Sequence, residues 1–173
     1  MACCTDRSIG HDGGSHGVGQ RARTGPGAIL YTLEGPLKGD GQGSFYFHPC
    51  SDAGSNELCL HDDVTGTLTQ LGITRGSFEV IFDIPAFDAN GCGPIRKQGS
   101  FFAANGDRLD IEAQGTFCFS TLVATYEFRI TGGTGRFTGA SGGGSWLVPP
   151  PATFDGVAGI GDEFFSGVVV KLK

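Results

Sequence analysis

The chain has 173 residues, of which 31 are glycine, 14 phenylalanine and one methionine, and it carries a formal charge of -6 with acidic and basic residues interspersed. That length makes one domain around a single core the default, and glycine, at roughly 1 kcal/mol per helical position relative to alanine, argues against long helices. Interspersed charge excludes nucleic acid or an anionic membrane as the natural partner, since both select clustered Lys and Arg, and no apolar run approaches the roughly 18 residues needed to span a bilayer.

Residues 1–24 are rich in Gly, Ser, His, Asp and Arg with almost no apolar content. Such a composition cannot offset the entropy of ordering, so a disordered tail is expected there, followed by one domain over residues 25–173. Cys3, Cys4, His11 and His16 could be drawn as a metal site, but a tail does not preorganise ligands, and no metal is expected.

From Ala28 the pattern changes. Ala28 to Leu33 reads as an apolar strand ended by Gly35-Pro36, and Gly43 to His48 as a second, with Phe45 and Phe47 on one face and Tyr46 on the other. Cys50 and Cys59 bracket a polar loop that a disulfide would close; free thiols are the alternative, and Cys92 with Cys118 is the secondary candidate pair. A bridge would place maturation in an oxidising compartment, secreted or periplasmic, although the N-terminus as given lacks the apolar core of a secretory signal. His48, His61, Asp62 and Asp63 flank this loop, but their spacing matches no ligand pattern.

Val64 to Leu71 alternates with a threonine face, and Arg75 to Ile84 puts Phe78, Val80, Phe82 and Ile84 on one side. Pro85 to Lys97 reads as a long loop. Gly99 to Ala104 opens a hairpin closed by Asn105-Gly106, the strongest two-residue turn signal, and the return strand from Asp107 to Phe119 buries Leu109, Ile111 and Ala113. Thr125 to Ile130 alternates Tyr126, Phe128 and Ile130 with polar partners, then reverses through Gly132-Gly133-Thr134-Gly135. A glycine-rich loop can cradle phosphate, but that use needs a helix N-terminus or a Lys-Ser/Thr pair to follow, and neither does. The strand after this turn ends near Val148, where three prolines stop ladder bonding. Glu163 to Lys173 forms the last strand, with Phe164, Val168, Val170 and Leu172 inside and Lys171 and Lys173 outside. About eight strands without a helix leave a sandwich or a barrel, and glycines inside strands, which suit the bends of a small closed sheet, favour an eight-stranded antiparallel up-and-down barrel.

The segment Ile130-Thr131-Gly132-Gly133-Thr134-Gly135-Arg136-Phe137 with Gly139-Ala140-Ser141-Gly142, and Phe164-Phe165-Ser166-Gly167 late in the chain, resembles the strand-turn-strand of allene oxide cyclases and plant dirigent proteins. Gly66 to Gly72 and Ala103 to Asp107 look like a bacterial branch with the same turn. The resemblance implies a calycin-type barrel, able to assemble as a homo-oligomer, whose relatives either close a strained epoxide in an apolar lumen or steer the coupling of phenoxy radicals. No motif here lets the cyclase's site residues be placed one by one.

A barrel of this size is filled by its own side chains or holds one small ligand. Phe78, Phe82, Phe102, Tyr126, Phe128 and Trp146 are the candidates for an aromatic lumen, with ordinary core packing as the other reading. Asp107, Arg108, Asp110, Glu112, Glu127 and Arg129 alternate on two strands that pair. Turned inward, Asp110, Glu112, Glu127 and Arg129 would supply acid and base groups; turned outward, they form cross-strand pairs on a solvated face. Two functions follow: a barrel that binds or steers a small apolar molecule, or a cofactor-free cyclase or isomerase. A lumen with at least two convergent ionisable groups favours the second, an all-apolar lumen the first.

Overall fold

The computed structural model describes residues 21–24, 28–51 and 56–172, with side chains described from residue 34 to 171. The strands are β1 (Arg21–Thr24), β2 (Ala28–His48), β3 (Glu57–Leu68), β4 (Gly72–Asp83), β5 (Cys92–Ala103), β6 (Arg108–Cys118), β7 (Val123–Gly133), β8 (Ser141–Val148), β9 (Thr153–Phe154) and β10 (Ala158–Leu172). Eight of them, β2 to β8 and β10, pair in order as an antiparallel meander. β10 then pairs along β2 from Leu172 opposite Thr32 to Ala158 opposite Tyr46, and the sheet closes. The molecule is an all-β, eight-stranded, up-and-down barrel; β1 adds to the start of β2, and β9 to β10. Of the expected tail, residues 1–20 with Cys3, Cys4, His11 and His16 lie outside the described residues, while Arg21–Thr24 pair with β2.

Alternation decides which side chains enter the barrel. Along β4 the even residues Thr74, Phe78, Val80 and Phe82 are buried, along β6 Leu109, Ile111 and Ala113, and along β7 Ala124, Tyr126, Phe128 and Ile130. One end of the lumen is packed shut. Leu37, Leu68, Leu109 and Val169 meet there with Phe137, each at most 1% exposed. Phe137 arrives through the glycine turn: after β7 the chain makes one 3₁₀ turn, Gly135–Phe137, and the Phe137 amide donates to Thr134 O. Gly135 has φ 58°, a left-handed conformation that side chains resist, and a Cβ there would collide with Asp107 of the Asn105-Gly106 hairpin. The turn is thus structural and plugs the barrel.

Both disulfides form, Cys50–Cys59 and Cys92–Cys118. The first ties the end of β2 to β3, the second the start of β5 to the end of β6, so both sit at the end of the barrel opposite Phe137.

Five expectations need correction. The two strands read at Ala28 to Leu33 and Gly43 to His48 are one, β2, which does not stop at Gly35-Pro36 because both residues stay paired with Val169 and Val168 of β10. The loop from Pro85 is shorter than its composition implies, because Cys92-Gly93-Pro94 already pairs with Cys118-Phe117-Thr116 and β5 continues through Lys97. Ile84 leaves the strand for a 3₁₀ turn and is exposed. Phe102 points outward and is 43% exposed, since Phe101 takes the lumen position in the register opposite Leu109. In β10 the parity is reversed: Phe164 and Val168 face out, while Glu163, Phe165 and Val169 face in. Phe165 is fixed by its pairing with Trp146, the two rings 4.4 Å apart. The same parity brings Lys171 over the Phe137 ring, 4.6 Å from its centre, and not out to solvent.

Candidate functional site

The mid-lumen is aromatic. Trp146 packs against Phe78 at 5.0 Å, Tyr126 at 5.8 Å and Phe101 at 5.9 Å, in edge and tilted geometries favoured by ring quadrupoles. Above this layer, toward the disulfide end, the packing stops and a cavity of about 70 Å³ remains. Its walls are Phe45, Phe47, Leu60, Val80, Phe82 and Phe117, and it reaches the surface beside Pro149 and Phe154. A buried water needs about 10–15 Å³, so the cavity has room for a small organic group.

Three ionisable side chains converge at its floor: Asp62 from β3, Lys97 from β5 and Glu163 from β10, each at most 3% exposed. Lys97 Nζ bonds to Asp62 Oδ2 and lies 3.5 Å from Glu163 Oε2. Its charge also sits 3.6 Å above the centre of the Trp146 ring and 5.0 Å from that of Phe78, a cation–π arrangement. The Trp146 indole donates to Glu163 Oε2 at 2.8 Å. Gly43 of β2 makes room for the carboxyls: a Cβ there would lie 2.9 Å from Asp62 Oδ1 and closer still to Glu163 Oε1.

Two carboxyls share one lysine, so this floor lacks one positive charge. Burial, which penalises the ionised form, pushes the Glu163 carboxyl up to about 8; Lys97 opposes the shift and Asp62 adds to it. At neutral pH Glu163 therefore keeps its proton. Asp62 Oδ1, buried and without a donor while both groups are ionised, then has one in the Glu163 hydroxyl. Tyr126, raised well above its ordinary range by burial and by the two acids, stays neutral.

Of the aromatic residues singled out in the sequence, Phe82 and Tyr126 line the cavity, Phe78, Phe128 and Trp146 are buried in the lumen beneath it, and Phe102 is on the outer surface. Asp110, Glu112, Glu127 and Arg129 are on the outer face. There Arg129 pairs with Glu112, and Asp110 accepts from Ser100 Oγ at 2.7 Å and pairs with Arg108. His48 and His61 also lie outside, beside Glu79 and Asp63, whereas Asp62 turns inward and Cys50 and Cys59 are consumed in their bridge. The sequence reading missed Asp62, Lys97 and Glu163. The signal was present in parity: Phe101 and Ala103 extended backward reach Lys97, Val64 extended backward reaches Asp62, and Phe165 implies Glu163.

Fold and site together define a closed antiparallel barrel with one plugged end and, at the other, an aromatic pocket over a buried acid–lysine–acid cluster. No family model matches the sequence, and no curated protein matches it. Among solved structures, the pterocarpan synthase dirigent protein GePTS1 is similar, at 15% identity over 81% of this chain and 86% of that one, with a TM-score of 0.46.

Proposed function

We propose that the barrel binds a small, largely apolar molecule through its disulfide-ringed end and sets one polar group of it against Asp62, Lys97 and Glu163. The observation that carries this reading is the half-empty lumen: the plugged end is filled by Leu37, Leu109 and Phe137, while the other end keeps apolar walls around unfilled space and holds three buried ionisable groups in its floor. Buried ionisable groups are costly and cluster where chemistry or recognition uses them. The turn around Gly132-Gly135 supports placing the chain with the allene oxide cyclase and dirigent barrels, and Gly66 to Gly72 with Ala103 to Asp107 supports a bacterial branch of them. The two disulfides support an extracytoplasmic setting.

A second reading is favoured by one feature. A carboxyl that is protonated at neutral pH and set beside a second acid and a lysine is a poised general acid, as a cyclase or isomerase working without a cofactor requires.

Trp146 is the only tryptophan and touches both Lys97 and Glu163, so its emission reports on the floor. Titration with benzyl alcohol is expected to give a saturable change in that emission, abolished by Ala124→Phe, which fills the cavity from its wall. An unsaturable response, or one unchanged in the variant, would overturn the binding reading. For the second reading, conversion of a bound substrate must fall with Glu163→Gln while binding persists.

A further inference from the structure

We infer that the pocket's ligand carries a positive charge: a small organic ammonium on an aromatic or aliphatic body, with its nitrogen against Asp62 and Glu163. This deepens the proposed binding function and rests on it.

The argument begins with charge balance. Two acids and one lysine are sealed in the floor, and the next ionisable neighbour, Tyr126, is neutral. Beside Glu163 lie Gly43 of β2 and the Trp146 N–H of β8, and the inward residues Phe78 and Val80 of β4 and Ala113 of β6 are apolar. Among the described residues of the pocket floor no second cation balances the second carboxylate; Lys171, the other inward lysine, sits at the plugged end over Phe137. A proton fills that place, shared between Glu163 and Asp62 at the carboxyl oxygens grouped around Gly43.

A proton is the smallest cation that can fill the vacancy. An ammonium entering from the mouth would do so with better geometry. It would donate to Asp62 Oδ1, the oxygen left without a donor once Glu163 ionises, and to a Glu163 oxygen. The walls fit this ligand too, because Phe45, Phe82 and Phe117 surround the space above the carboxyls and present ring surfaces that stabilise a cation. Neutral alcohols would gain the apolar walls but could not replace the proton. Carboxylates would add a third negative charge to the floor and would be excluded.

Replacement has a measurable signature: the ammonium and the proton compete, so each ligand bound at neutral pH releases close to one proton. With the carboxyl at about 8, a permanently protonated ligand would bind roughly fiftyfold more weakly at pH 6 than at pH 8. The experiment is calorimetric titration of the protein with benzylamine, benzyl alcohol and benzoate at both pH values, in buffers of different ionisation enthalpy. Benzylamine is expected to bind tightest at pH 8, to weaken steeply at pH 6 and to release a proton. Glu163→Gln is expected to abolish both the pH dependence and the release, and to weaken benzylamine tenfold or more at pH 8, a far larger factor than its effect on benzyl alcohol. If benzyl alcohol or benzoate binds as well as benzylamine at pH 8, or benzylamine binds without proton release, the cationic assignment is wrong and the binding pocket stands. If none of the three binds, both fall.

Discussion

The two ends of the lumen are built from the same strands and differ in what fills them. At one end the glycine turn between β7 and β8 drives Phe137 into the barrel, where it meets Leu37, Leu109 and Val169 with no exposed surface among them beyond 1%. At the other end the same alternation delivers Phe45, Phe82 and Phe117, yet they stand around a cavity, and the positions beneath them are occupied by Asp62, Lys97 and Glu163. Close packing stabilises a fold, whereas space and buried charge weaken it. The first end therefore makes the barrel stable, and the second gives up part of that stability to keep an open space and buried polar groups.

The sharpest way to break this division is to cut a ring from each end. Phe137→Ala leaves a hole in a filled region and is expected to cost about 3–5 kcal/mol in denaturant unfolding, with little effect on the pocket's affinity. If Phe137→Ala proved nearly neutral, the plug would not be what holds the barrel. Next in size is the pH dependence of stability. Glu163 is held at about 8 when folded against 4.5 in the unfolded chain, so the native state keeps an extra proton between those values. Stability must fall as pH rises through that window and level off above it; the drop between about pH 5.5 and pH 8 should be roughly 3 kcal/mol, and Glu163→Gln should remove it. An unfolding free energy with the same pH profile in both proteins would show that the carboxyl is not held protonated by its burial. The smallest effect belongs to the rim: Phe154, 40% exposed, lines the mouth, and Phe154→Ala should change stability by less than about 1 kcal/mol while altering the affinity or release rate of benzyl alcohol.

The fold was legible because glycine turns and two-residue alternation are local signals. The Asn105-Gly106 hairpin, the turn into Phe137 and the inward faces of β4, β6 and β7 all follow from residues near one another in sequence. The site was not legible, because a charged residue in an alternating strand is read as facing water. That rule placed Lys171 and Lys173 outside and so turned Phe164 and Val168 inward, since Phe164-Phe165 and Val168-Val169-Val170 are apolar on both faces and offer no parity of their own. Lys97 was hidden behind Gly93-Pro94, which looks like loop but pairs with β6. What turns the three ionisable side chains inward is the closure of the sheet, which brings β3, β5 and β10 to face one another across the lumen, a relation that no window of sequence contains.

The sulfur bridges give the protein an asymmetry of their own. Both Cys50–Cys59 and Cys92–Cys118 hoop the mouth, and among the described residues none ties the plugged base. In a thiol-rich cytosol the hoops would open, and the barrel would keep its foot while its opening lost a fixed outline. The redox state of the surroundings would thus govern the shape of the mouth well before it governs whether the chain stays folded.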